Sequence, residues 1–406
     1  MVSLLYNALI LPMLQVGLFI GQAVSAKLRM RRRGERLSNF ATTIHKGSPR
    51  ILLHASSMGE LEQILPLISI LKRSLPSSCI MVTCSSPSGY QHAMRQQDID
   101  ETLYSPVDTK RNVLRFLART QPDIVVINRY DVWPNFVKQA STKCPIVLVN
   151  ATYPSVADSP LLHSWVREFY SLLTSITAVT ARDAQRLRSL TGKEVVHLPD
   201  TRIDRVLEKM SISDSSIEPL RRTSCVTLVV GSSWQDDEDV ILSSIDKIGE
   251  KQLRLVIVPH EPNEPALRRI EDRIACVRLS KGIPNNDEHI LVDSVGKLLS
   301  LYRIADAAFV GGGFGAGVHS TTEPAAYGIP VACGPHIERS RDAQELREAG
   351  LLRVVSQTDE ATQWIMQTVL DSQQRLHRRE AADEYIERRA GSSAAYAEIV
   401  KSFLNG

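Results

Sequence analysis

Gly311-Gly-Gly-Phe-Gly-Ala-Gly-Val-His-Ser-Thr-Thr-Glu-Pro-Ala-Ala-Tyr-Gly328 follows a short apolar run, Ala307 to Val310, and leads directly into a helix start. Strand, glycine-rich loop and helix in that order make one step of a parallel α/β sheet, and the loop is where such a step holds a phosphate. Five glycines within seven residues let backbone N–H groups approach an anion, and Ser320 or Thr321 can cap a helix whose first turn carries partial positive charge. Glu323 in that turn suits the hydroxyls of a ribose, since a carboxylate accepts two hydrogen bonds. No Lys-Ser or Lys-Thr follows, which excludes a P-loop. No acidic residue about 20 positions on follows a second strand in dinucleotide fashion. A purely structural glycine turn is the competing reading.

Outward from this loop, β-branched segments alternate with helical patterns. They lie at 50–53, 80–83, 124–127, 146–149, 176–179 and 195–198, then at 225–230, 253–258, 290–292, 307–310 and 330–333. Alternation of this kind means βα units and parallel sheets. A polar, Ser-rich stretch over 208–224 divides the two series. The expected architecture is therefore α/β, with two Rossmann-like lobes, 37–207 and 225–380, whose parallel sheets face a central cleft. A last helix over 381–406 ends the chain. The helix after the first strand carries Leu61, Ile64, Leu65, Ile68, Leu71 and Leu75 at helical spacing, a face that packs on a sheet.

The 406 residues suffice for two ordinary domains. A net charge of +3 and 5% aromatics, with no basic-aromatic interleaving, argue against a nucleic-acid groove. Six scattered cysteines with no Cys-x-x-Cys and no His/Cys cluster indicate neither a disulfide framework nor a structural metal. The apolar stretch Leu4 to Ala26 is long enough to span a bilayer, yet it carries Asn7, Pro12, Gln15 and Gln22. Lys27, Arg29, Arg31, Arg32, Arg33 and Arg36 follow it. That order keeps the remainder on the cytoplasmic side and suits anionic headgroups. Segment 1–36 thus reads as a membrane anchor or a monotopic helix. Its competitors are a buried core helix followed by a solvated charged turn.

Ligands of open parallel sheets sit beyond the carboxyl ends of the strands, which gives the loops there their weight. His54-Ala-Ser-Ser-Met-Gly-Glu60 opens a helix with Glu60, a carboxylate able to act as general base or simply to favour the helix dipole. Cys84 to Tyr90 offers hydroxyls to an anion, or is an ordinary proline-capped loop. Asn128-Arg-Tyr-Asp-Val-Trp-Pro-Asn135 joins Arg129, Asp131 and Trp133 at one strand end. Asp200-Thr-Arg-Ile-Asp204 brings Arg202 toward the cleft to neutralise a developing charge, unless it pairs with Asp200 or Asp204. In the second lobe, the loops carrying Ser232 and Ser233, and Pro259 and His260, are placed to touch a nucleotide.

Taken in order, these motifs resemble the 3-deoxy-D-manno-oct-2-ulosonic acid (Kdo) transferases, inverting glycosyltransferases of the GT-B fold. The resemblance runs from the apolar and basic start through His54 to Glu60, Ser86 to Gly89, Trp133-Pro134-Asn135 and Gly231-Ser232-Ser233. It continues in Pro259-His260, Val292 to Lys297, His319 to Glu323 and Gly334-Pro335-His336. It implies CMP-Kdo as donor, the lipid A precursor (a tetraacyl disaccharide bisphosphate) as acceptor, and the cytoplasmic face of the inner membrane as location. It also implies Glu60 as general base and a cation such as Arg202 for the departing phosphate. CMP is implied at Pro259, His260, Val295, Gly296, Lys297, Ser320, Thr321, Thr322 and Glu323. No cofactor and no metal are expected, because one phosphate is adequately held by protein donors.

The chain departs from the family pattern at several of these positions. Many members read Glu-Thr-Glu-Leu-Trp-Pro-Asn, so Arg129 stands where the family has an acid assigned to transition-state stabilisation. Arg202 replaces a lysine, Pro259-His260 a Pro-Arg, Val295-Gly-Lys297 a Met-Gly-Glu, and His319-Ser320 a His-Asn. Two other readings stay open: a GT-B enzyme using UDP-sugars, including a 2-epimerase, and a non-catalytic protein that binds the lipid A precursor.

Overall fold

All strand pairs described run parallel, and they fall into two seven-stranded sheets. The computed structural model describes residues 6–40, 47–211, 217–249, 253–282 and 287–404. The first sheet contains β1 (Arg50–His54), β2 (Cys79–Cys84), β3 (Glu101–Tyr104), β4 (Ile124–Asn128), β5 (Ile146–Ala151), β6 (Ser175–Ala178) and β7 (Val196–His197), in the order β3-β2-β1-β4-β5-β6-β7. The second contains β8 (Val226–Ser233), β9 (Leu253–Pro259), β10 (Cys276–Arg278), β11 (His289–Leu291), β12 (Ala307–Val310), β13 (Val331–Cys333) and β14 (Leu352–Val354), in the order β10-β11-β9-β8-β12-β13-β14.

Central strands are apolar on both sides because helices cover both faces. In the first sheet Ile51 and Leu53 pack with Leu61, Ile64, Leu67 and Ile68 of the Met58–Ser74 helix. Leu52, one residue between, belongs to the opposite core with Val113, Phe116 and Tyr170. In the second sheet Val230, Ile257 and Phe309 meet Ile241, Ile245 and Ile365. Val229, Val256 and Ala308 meet Leu301 and Tyr302 on the other face.

The molecule divides into Met1–Arg205 plus Ala390–Gly406, and Val206–Arg389. This changes the expected boundaries. Residues 206–211 of the expected linker continue the Arg202–Ser211 helix, and 212–216 lie outside the described residues. The single last helix expected over 381–406 is two, Ser372–Glu387 and Ser392–Ser402, broken at Gly391, whose φ of +83° suits a residue without Cβ. Tyr396, Ala397 and Val400 of the second helix are fully buried in the core of the first unit. Asp204 fixes its start, accepting from the Gly391 and Ser393 amides and from the Ser392 hydroxyl.

The N-terminal segment is also more structured than a helix followed by a charged turn. A π-helical turn, Tyr6–Ile10, leads into the Leu11–Val24 helix, and after Ser25 alone the basic run forms the Ala26–Phe40 helix. Arg29 donates to the Gln22 and Ala23 carbonyls, and Arg32 to the Gln22 side chain, which joins the two helices. Gly34 lies so near the Tyr104 ring that a Cβ would fall 2.1 Å from it.

Candidate functional site

In the first unit, the sequence-selected residues lie beyond the carboxyl ends of β1, β2, β4 and β7. Ser57 caps the Met58–Ser74 helix by accepting from the Glu60 amide at 3.3 Å. The Glu60 carboxylate turns back so that Oε2 takes the Ser56 amide at 2.8 Å. This holds the acid in one orientation, and among the described residues no protein group donates to Oε1.

Beneath Glu60 lies a buried polar network that sequence reasoning missed. Asn128 donates to the Glu60 carbonyl at 3.1 Å and to Gln63 Oε1 at 3.0 Å. Asn150 donates to Asn128 Oδ1 and to Thr201 Oγ1, and the Thr201 hydroxyl donates to the Gln63 carbonyl at 2.6 Å. Gln63 in turn donates to Asp200, which also accepts the Arg202 amide. The ends of β4 and β5, the helix bearing Glu60 and the loop bearing Arg202 are thereby locked together. Two asparagines, each ending an apolar strand run, were the available signal. The pairing imagined for Arg202 with Asp200 or Asp204 is replaced by backbone work: Asp200 takes the Arg202 amide and Asp204 caps the last helix.

Arg129 and Asp131 are separated by their environments. Arg129 sits at φ +68°, a left-handed conformation uncommon for a side-chain-bearing residue. Asp131 Oδ2 lies 2.6 Å from His54 Nε2, whose Nδ1 meets Thr83 Oγ1 at 2.9 Å. Burial pushes the Asp131 carboxyl up. Hydrogen bonds from His54 and Trp133 and the electrostatic attraction of His54 and Arg31 outweigh it and hold the acid below its usual range. Arg31 of the basic helix thus lies near enough to this strand end for its charge to favour the ionised acid, which the sequence did not suggest.

Two other motifs prove structural. Ser86 spends its hydroxyl on the Gly89 amide as a helix cap, and Ser85 pairs with Ser105. Asn135 of Trp-Pro-Asn exchanges amide hydrogen bonds with Asn7 and gives its own amide to Asp108, which also accepts from the buried Tyr6 hydroxyl at 2.9 Å. Burial raises Asp108 to about 6 against these hydrogen bonds.

In the second unit, the glycine loop corrects the reading that opened it up to a phosphate. The Gly311 amide bonds the Gly231 carbonyl, Gly312 bonds Asp237 Oδ2 at 2.8 Å, Gly315 and Gly317 bond the Gly312 carbonyl, and His319 bonds the Gly311 carbonyl. The glycines serve close packing. A Cβ on Gly311 would lie 2.4 Å from the Ser232 carbonyl oxygen, and one on Gly313 2.6 Å from the Gly334 nitrogen. The helix that follows is only Thr322–Ala326, too short for a strong dipole. The Ser320, Thr321 and Thr322 amides go to no protein acceptor among the described residues.

The remaining donor-side residues share these strand ends. Ser232 occupies a register shift at the end of β8, at φ +52°, while Ser233 is spent on the buried Glu238. The His260 amide bonds the Ser233 carbonyl, and the His260 ring stacks between Trp234 and His319 at centroid distances of 4.9 and 4.3 Å. Burial, with the neighbouring His260, keeps His319 below the usual histidine value. Val295 and Gly296 are exposed, and Lys297 precedes the Leu298–Leu301 helix. Ser294 Oγ and Thr321 Oγ1 are buried without a hydrogen-bond partner, which is uncommon in a finished protein interior. Among the described residues no cluster of three or more His, Cys, Asp or Glu is placed to hold a metal ion.

Two parallel-sheet α/β units of this kind define the GT-B-like class. The structure superposes on UDP-GlcNAc 2-epimerase from Neisseria meningitidis with TM-score 0.62 and 18% identity, over 88% of this chain and 100% of that one. It superposes on a calicheamicin glycosyltransferase with TM-score 0.55 and 15% identity, over 88% and 98%. These likenesses concern the fold alone. Residues 31–205 match the family described as 3-Deoxy-D-manno-octulosonic-acid transferase (kdotransferase). The 3-deoxy-D-manno-octulosonic acid transferase of Haemophilus influenzae is 26% identical over 417 residues, covering 95% of both chains. The chain is thus similar to the Kdo transferases, through a family match over residues 31–205 and a relative alike along nearly its whole length.

Proposed function

We propose that this protein transfers Kdo from CMP-Kdo to the lipid A precursor with inversion, Glu60 acting as general base. The observation that carries the proposal is the Glu60 carboxylate, anchored through Oε2 on the Ser56 amide with Oε1 left for a substrate proton. As the acceptor hydroxyl oxygen bonds the anomeric carbon, its proton passes to Glu60. The bond from that carbon to the phosphate oxygen breaks, and CMP leaves with the electron pair. Arg202 supplies positive charge for the departing phosphate. His54 holds Asp131 ionised, so Asp131 keeps a carboxylate on the loop where Arg129 has displaced the family's first acid.

For CMP, the unused amides of residues 320–322 serve the phosphate, Glu323 the ribose, and Ser232, Pro259, His260 and 295–297 complete the site. Ser233, committed to Glu238, positions this loop instead of touching the nucleotide. The proposed reaction uses no metal ion, so a chelator should leave its rate unchanged.

We further assign the N-terminal hairpin to the cytoplasmic face of the inner membrane as a monotopic anchor. Residues 6–23 are apolar enough to cross a bilayer by length and composition, and Leu9, Met13, Val16 and Ile20 form one exposed stripe at helical spacing. Both ends of the hairpin are tied to the first unit, through Tyr6 to Asp108 and Gly34 on Tyr104, which favours lying on the membrane over crossing it. Exposed Lys27 and Arg33 suit anionic lipids.

The test is an assay of purified protein with CMP-Kdo and a tetraacyl disaccharide bisphosphate, reading product mass. Mass gains in whole Kdo units that vanish in Glu60→Gln are expected. Turnover of a UDP-sugar instead, or CMP-Kdo binding without any transfer, would overturn the assignment.

A further inference from the structure

The second unit contains a cavity of about 630 Å³ remote from the loops described above. Its wall takes in Val331 and Leu352, the first residues of β13 and β14, with Gly350, Arg353, Trp364, Gln367 and Arg378 among the lining. It therefore lies at the amino ends of β13 and β14, whereas the proposed donor loops follow the carboxyl ends of β8, β9, β11 and β12 in the same sheet. Its volume falls within the range of small-molecule sites, roughly 300–1,000 Å³.

The chemistry of the lining is one-sided. Two guanidinium groups, Arg353 and Arg378, stand in it with four neutral hydrogen-bonding side chains, Gln363, Gln367, Thr368 and Gln374, and no carboxylate. Arg378 donates only to the Gly350 carbonyl, and Arg353 has neither an ion pair nor a hydrogen bond among the described residues. Asp371, between the lining residues Thr368 and Gln374, is engaged in capping the Ser372–Glu387 helix through the Gln373 and Gln374 amides. Uncompensated arginines in a concave site favour an anion with paired oxygens. Gln367 and Thr368 belong to a π-helical turn, Ile365–Val369, a distortion that recurs at functional sites. Trp364, only 5% exposed, forms an apolar floor.

We propose that this cavity binds a small phosphate-bearing molecule, with Arg353 and Arg378 as the anion ligands. The site is separate from the CMP site, and its existence does not depend on which nucleotide sugar the protein uses. The structure also provides a route from it to the donor loops: β13 is three residues long, and the Gly334-Pro335-His336 turn that follows bonds the glycine loop through the His336 amide to the Gly313 carbonyl at 2.8 Å.

The test is calorimetric titration of the full-length protein with inorganic pyrophosphate in the presence of excess CMP, which occupies any phosphate site at the donor loops. Wild type should bind. Arg353→Ala should weaken binding about tenfold or more, and Arg353→Lys by less. The Arg353 side chain makes no hydrogen bond or ion pair among the described residues, so this variant should melt with wild type; Arg378→Gln, checked for the same melting temperature, should weaken binding comparably. Absence of binding to wild type, equal affinity in the arginine variants, or binding of citrate with none of pyrophosphate would each overturn the proposal.

Discussion

The carboxyl strand ends of the two units are finished to different degrees. In the first unit the side chains beneath Glu60 are committed: Asn128, Asn150, Gln63, Thr201 and Asp200 hydrogen-bond one another and hold the Glu60 carbonyl, while the Ser56 amide holds its carboxylate. In the second unit the glycine loop spends most of its amides on protein acceptors, within itself and on Gly231 and Asp237. Around it, Ser294 and Thr321 keep buried hydroxyls without partners, while Val295 and Gly296 project into solvent. A base needs a fixed direction for its proton, which costs the protein its own polar groups in advance. A donor site can leave donors open for the nucleotide to satisfy.

This contrast can be broken most decisively at Glu60. Glu60→Gln should lower transfer by about 10²–10⁴-fold, the range for losing a general base, while CMP affinity stays within twofold by calorimetry. Parallel loss of CMP binding would mean that Glu60 shapes the fold instead.

The next largest effect belongs to Asp108. Its folded value of about 6 lies above the ordinary 3.8, so its protonated form is the one favoured in the folded protein. That contribution is fully present below pH 4 and is lost as pH rises through 6, a change of about 3 kcal/mol at most. Melting wild type beside Asp108→Asn from pH 4.5 to 7.5 should show wild type losing ground as pH rises. Parallel curves would place the carboxyl's titration elsewhere.

Within the first unit's network, Asn150→Ala strands Asn128 Oδ1 and the Thr201 side chain, at a cost of about 2 kcal/mol. Unfolding followed by circular dichroism should register a melting temperature lower by about 4–8 °C. A smaller, purely functional change is expected across in the second unit. Glu323→Gln should weaken CMP binding about tenfold with little change in melting, and equal affinity would remove Glu323 from the ribose.

The strands buried on both faces were legible because doubly covered strands must be apolar throughout; β1, β2, β4, β5, β8 and β9 all announce themselves. The three that escaped, Glu101–Tyr104, Cys276–Arg278 and Leu352–Val354, are all sheet edges, short and paired on one side only. The motif residues were legible as types and misread in part as roles. Ser233, Ser86 and Asp204 carry polar groups suited to ligands, yet each is consumed by a neighbour that only folding brings near. Gln63 and Thr201 had no signal beyond being polar, since their meaning lies in contacts across 138 residues of chain.

The return of the Ser392–Ser402 helix to the first unit has a consequence for synthesis. Tyr396, Ala397 and Val400 complete a core whose other members lie within the first 149 residues. On the ribosome, the half of the molecule that emerges first is consequently finished late: its hydrophobic wall stays open until the second unit and then the Ser392–Ser402 helix have been translated. A chaperone that shields that wall during elongation, and a steep loss of yield when the last turns are trimmed, are what such an order of assembly demands.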